Sequence, residues 1–152
     1  MRITDGAMHL DAVRALITEY TTALGRDLTF QHLDEELSDL DSKYLPPNGR
    51  LLCAQTDDGS VVGCVAYTRL SDTRCEMKRL YVRPKARGQN VGRALAEAII
   101  AAAKRDGYDE MVLDTLRPLH AAIALYRALG FEETDPYYVN PFEDVIYMKK
   151  DL

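Results

Sequence analysis

The chain has 152 residues, 47% of them hydrophobic and 28% charged, a size and balance that suit one folded domain with a buried core. Lysines and arginines number 19 against 24 aspartates and glutamates, a net charge of −5, which argues against nucleic acid as a partner because neutralising phosphates needs a basic face. No apolar run is long enough to span a bilayer and the Met1 end lacks the apolar core of a secretory signal, so the expectation is a cytoplasmic protein with no membrane partner.

Leu10, Val13, Leu16, Ile17, Tyr20 and Leu24 recur at three- and four-residue steps, the period of one helix face, and Gly25 is the stop signal. Phe30, Leu33, Leu37 and Leu40 predict a second helix after Thr29, with Asp34, Glu35, Glu36 and Asp39 on its solvated outer face. Two prolines make residues 44–49 a loop. Strands at 51–56 and 61–70 flank the hairpin turn Asp57-Asp58-Gly59-Ser60, and a turn at 71–73 leads into a third strand at 74–82, an antiparallel meander. Val91, Leu95, Ala98, Ile99 and Ala102 mark the inner face of a helix that stops at Gly107. An apolar strand at 111–115 follows. Pro118 then suits the first turn of a helix lined by Ala121, Ala122, Leu125 and Leu129 and closed by Gly130. Phe131 opens another strand, 137–142 is an aromatic loop containing proline, and 145–148 is the last strand. With no repeat and no linker, residues 1–152 read as a single α/β domain.

Cys53, Cys64 and Cys75 are widely spaced on strands and read as buried free thiols of a reducing compartment. With His9, His32 and His120 scattered, no metal site is expected. The richest segment is Arg87-Gly88-Gln89-Asn90-Val91-Gly92-Arg93, between a strand and an amphipathic helix. Exposed amides at a helix N-terminus make a phosphate cradle. The segment lacks the Gly-Lys-Ser/Thr ending of a nucleotide P-loop and the three-glycine dinucleotide pattern, so a structural turn stays open on the residues alone.

That segment resembles the pyrophosphate loop of the GNAT superfamily of acyl-CoA-dependent N-acetyltransferases, with Asn90 where a middle glycine is usual. Met77-Lys78-Arg79-Leu80-Tyr81-Val82 is similar to the family strand before the loop, and Leu125-Tyr126 followed by Gly130-Phe131 to its second hallmark, although Leu119 stands where Asn often does. The resemblance implies a mixed, mainly antiparallel sheet flanked by helices and splayed after the strand at 74–82. Acetyl-CoA is then the co-substrate. Its pantetheine would run along Leu80, Tyr81 and Val82, its diphosphate would sit on the amides of residues 87–92, and Arg93 and His120 would add contacts. A homodimer is compatible with the family.

Acyl transfer to an amine needs a base, oxyanion donors and a partner for the leaving thiolate. Glu76 is the candidate base, acting directly or through water, on the strand face that period two gives to Lys78, Leu80 and Val82; a pair with Lys78 or Arg74 is the alternative. Through its match to the family's Leu-Tyr, the resemblance implies Tyr126 as the acid or sulfur hydrogen-bond donor. The resemblance puts the acceptor against the first helices, the loop after them and the C-terminal strands, which implies a wall of Tyr44, Tyr67, Arg79 and Tyr138, with Arg69, Tyr137 and Asn140 nearby. Tyrosines and arginines there suit a small amine bearing a carboxylate. A protein N-terminal or lysine acetyltransferase and a non-catalytic CoA-binding sensor are the other readings.

Overall fold

The computed structural model, which describes residues 1–152, brings every predicted strand into one sheet. Its order is β1 (Arg2–Asp5), β2 (Gly49–Gln55), β3 (Val61–Arg69), β4 (Arg74–Val82), β5 (Glu110–Leu116), β7 (Val145–Asp151) and β6 (Glu132–Glu133). Neighbours are antiparallel except β4 and β5. That parallel pair is joined by a crossover through helix α4 (Val91–Arg105), the connection parallel strands require.

Strand alternation divides the apolar side chains between two faces. On one, Val13, Leu16 and Ile17 of α1 (Leu10–Leu24) pack on Leu51, Cys53, Cys64, Ala66 and Tyr81. On the other, Leu95, Ile99 and Ala103 of α4 and Ile123 of α5 (His120–Ala128) pack on Val65, Met77, Met111, Leu113 and Met148. All three cysteines are free and buried; burial pushes the Cys53 and Cys75 thiols up to about 12. No helix is long and apolar enough to cross a membrane.

The predicted second helix breaks into a 3₁₀ turn (Thr29–Gln31), α2 (Leu33–Ser38) and α3 (Leu40–Tyr44). His32 interrupts it at φ 56°. Asp39 then caps α3, its carboxylate accepting from the Ser42 amide at 3.3 Å.

Its acidic face is not uniformly solvated. Glu36 is buried, and it accepts from Arg79 Nε at 2.8 Å, Arg79 Nη2 at 3.0 Å and Lys43 Nζ at 2.9 Å. Burial alone would raise its carboxyl, but the Arg79 hydrogen bonds and the two cations hold it down at about 2. A carboxylate with a depressed folded value contributes stability above its ordinary value of 4.5 and loses it as pH falls toward about 2. Glu36→Ala should cost about 3–5 kcal/mol, because the buried Arg79 loses its partner and the half-buried Lys43 loses a neighbour. Urea melts in a pH series check both points: the variant should lose much of the acid-side slope, and an unchanged slope would refute the assignment.

Arg79 lies at a break in β4. Cys64 pairs with Tyr81 and Ala66 with Lys78, so Val65 alone faces Arg79 and Leu80, a β-bulge with Arg79 at φ 61°. The extra residue reverses the alternation. Glu76 and Lys78 share a face with Arg79 and Tyr81, whereas Leu80 and Val82 turn with Met77 toward the α4 layer. The expected common face for Glu76, Lys78, Leu80 and Val82 is therefore corrected.

Candidate active site

The β4–β5 ladder stops at the Glu76–Val112 pair. Beyond it the strands part around a cavity of about 660 Å³ bordered by residues 77–82 and 113–116, with Tyr20 and Leu24 of α1 on one side and Leu125 and Tyr126 of α5 on the other. The lining is mostly apolar, as a strand edge splayed between two helical layers dictates. Leu80, Tyr81 and Val82 all border it. The Tyr81 ring turns to the α1 face, 5.6 Å from Tyr20.

The loop before α4 lies at the β4 end of this cavity. Gly88 at φ 82° and Asn90 at φ 61° let the chain turn from β4 into the helix. The N–H groups of residues 88–93 have no hydrogen-bond partner in the protein. They head a helix of 15 residues, whose dipole favours an anion at that end. A Cβ built on Gly92 would meet only Val82 Cγ2, at 3.7 Å, so packing does not demand the glycine and the space beside it is open to a ligand.

Three details bear on the contacts expected of this loop. The Arg87 amide already donates to the Pro84 carbonyl at 3.2 Å, and its side-chain Nε donates to the Val82 carbonyl at 3.0 Å. Asn90 makes no side-chain cap. Arg93 pairs with Glu97 at 2.8 Å on the exposed helix face. His120 opens α5, exposed, at the cavity border. Tyr126 borders the same cavity edge-on to Phe131. Burial raises its hydroxyl above the ordinary tyrosine value, which suits a hydrogen-bond donor better than a proton source.

A second cavity of about 840 Å³ adjoins the first, and Gln31 and Lys78 line both. Glu76 lies in it, buried, with Tyr137 Oη donating to its Oε2 at 2.5 Å and Lys78 Nζ 4.0 Å from its Oε1. Arg74, the other suggested partner, goes instead to Glu110 at 2.7 Å. Burial pushes the Lys78 amine down to about 8, with Glu76 pulling the other way and Arg79 adding to the depression.

The aromatic loop is tied down above this point. Tyr138 donates to Asp114, Asn140 Nδ2 donates to Asp114 Oδ2 at 3.0 Å, and Tyr147 Oη donates to the Tyr138 carbonyl at 2.9 Å. Arg26 grips both Asp144 oxygens at 2.7 Å and sits over the Phe142 ring. Burial and the neighbouring carboxylates raise the Tyr137 and Tyr138 hydroxyls, so both stay protonated donors.

The structure thus brings Glu76, Lys78 and Tyr137 together beside Tyr138 and Asn140, but not the rest of the expected wall. Tyr44 is wholly buried among Leu51, Ala66 and Ile17. Tyr67 faces the α4 layer, donates to Asp106 Oδ2 at 2.5 Å and stacks edge-on with Tyr108. Arg79 is committed to Glu36, and Arg69 to Asp72. Those four expectations are corrected: a core tyrosine, a tyrosine on the opposite face and two arginines held in ion pairs. Asp114, Gln31 and Lys78 were missed as site residues. A lone carboxylate inside the apolar run 111–115 is the one sequence signal that could have flagged Asp114.

The acetyltransferase (GNAT) family model matches residues 10–131. An uncharacterised N-acetyltransferase of Schizosaccharomyces pombe is 45% identical over 94% of this chain and 88% of its own length. N-acetylaspartate synthetase of Danio rerio is 33% identical over 69% of this chain and 39% of its own length. A crystal structure described as a candidate acyl-CoA N-acyltransferase of Klebsiella pneumoniae superposes with a TM-score of 0.77 at 31% identity, covering 99% of this chain and 97% of that one.

Proposed function

Because the chain belongs to the GNAT acetyltransferase family and is an acyl-CoA-dependent N-acyltransferase, we propose that it acetylates a small primary amine that also carries a carboxylate, with acetyl-CoA as co-substrate. The observation that carries this reading is the run of unpartnered amides at residues 88–93, directly after Arg87 on the border of a cavity that meets a second one beside Glu76 and Lys78. Acetyl-CoA supplies the acetyl group as an activated thioester. The open amides and the bare Gly92 fit its diphosphate, and the apolar edge of residues 77–82 fits its pantetheine. One domain, residues 1–152, carries both cavities. Three buried free thiols suit the cytoplasm.

Glu76 takes the proton from the incoming ammonium, directly or through a water. Tyr137 holds Oε2 of that carboxylate and leaves Oε1 toward Lys78. Tyr126 keeps its proton and donates a hydrogen bond to the departing sulfur. Support for the carboxylate no longer comes from Arg69 and Arg79. It comes from Lys78, and from the relative named N-acetylaspartate synthetase. A protein N-terminus or lysine is the second reading, favoured by Asp109 and Asp151 at the outer rim of the acceptor cavity, which suit a basic peptide.

Release of CoA thiol from acetyl-CoA across an amine panel tests the assignment. Amino acids and short dipeptides should react. A panel in which only polyamines, aminoglycosides or basic peptides turn over would overturn the carboxylate.

A further inference from the structure

Lys78 differs from the other buried cation of this region. Arg79 is satisfied by Glu36 at 2.8 Å and 3.0 Å. The Lys78 side chain is only 13% exposed, yet its nearest carboxylate oxygen is 4.0 Å away, beyond hydrogen-bond reach, and it donates to no protein group. An ammonium carries three donors, and here all three are free to meet a group that enters the cavities. This one lines both cavities at the point where they meet. Arg74, the other cation of the acceptor cavity, has Nε committed to Glu110.

The geometry points to Lys78 as the residue that reads the acceptor's carboxylate, and to an amino acid with its amine and carboxylate on the same or adjacent carbons as the substrate class. This rests on the amine-plus-carboxylate reading above. In such a molecule the two charged heads are close neighbours, as Glu76 Oε1 and Lys78 Nζ are at 4.0 Å. A nitrogen meeting Glu76 therefore brings a carboxylate oxygen to Lys78 in a charge-assisted hydrogen bond. The bulge at Arg79 confines the pair to one face: Glu76 and Lys78 keep simple alternation, and the next residue is already taken by Glu36.

The test compares wild type and Lys78→Met on free L-alanine, L-serine and L-aspartate and on their α-carboxamides, measuring kcat and KM, with calorimetric titration of the same free amino acids into each protein. Wild type should prefer the acids. The variant should lose about 10- to 100-fold in kcat/KM on the acids, mainly through KM, with weaker calorimetric binding and little change on the carboxamides. Lys78→Arg should retain the acid preference. Melting temperature and CoA affinity show that each variant is folded, and Lys78→Gln carries the same comparison if methionine unfolds the strand. An acid-to-amide ratio that survives loss of the charge, or equal losses on both series, overturns the role of Lys78. A wild type that acetylates none of these amines, or shows no acid preference, overturns the carboxylate reading beneath it.

Discussion

Gly92→Glu should fold at least as stably as the wild type and fail to hold coenzyme A. A Cβ at residue 92 meets nothing closer than Val82 Cγ2 at 3.7 Å, so the fold admits a side chain. Replacing glycine inside a helix removes a backbone-entropy cost of about 0.5–1 kcal/mol. Helix α4 has no acidic residue in its first turn, so a carboxylate there also complements the dipole. The same carboxylate occupies the hollow of the free amides with the charge of the diphosphate they are to bind. Losing two or more charge-assisted hydrogen bonds costs roughly 100-fold or more in affinity. Calorimetry and thermal melts read the two effects separately. Near-normal CoA affinity in a folded variant would place the diphosphate elsewhere.

Glu76→Gln should leave CoA affinity intact and lower turnover by about 10²- to 10⁴-fold near neutral pH, the range for a lost general base. The amide oxygen can still accept from Tyr137, so the loop over the acceptor cavity keeps its anchor. Turnover should partly recover as pH rises, because a growing share of the amine then arrives already deprotonated and needs no base. A pH–rate profile of both proteins checks this. Superimposable profiles would remove Glu76 from the chemistry.

The order of elements, the meander and the loop ahead of α4 were legible because each depends on local signals: apolar period, turn residues, glycines and a proline. What escaped depends on distant partners. Glu36 reads as one more solvated acid in a run of acids until Arg79, far along the chain, is seen against it. The break at His32 is equally silent in the pattern Phe30, Leu33, Leu37, Leu40. Tyr44 and Tyr67 were assigned to a substrate wall from the regions that set the acceptor in the resembling family; burial against α1 and pairing with Asp106 decided otherwise. Glu76 was found through its place on the strand, but its hydrogen bond to Tyr137 joins residues 61 apart and could not be read from spacing.

The extra residue in β4 lets a single strand serve two unlike neighbourhoods. Its leading half offers charged heads to one compartment, and its trailing half offers oily side chains to the compartment behind. Shortening it by one position at Arg79 would send Glu76 and Lys78 into the hydrocarbon layer beneath α4, or push Leu80 and Val82 out of it. Substitutions can drift along this segment one at a time, but its length is under a separate and stricter constraint. Descendants of this gene should accordingly tolerate new letters between residues 74 and 82 far more readily than a missing one.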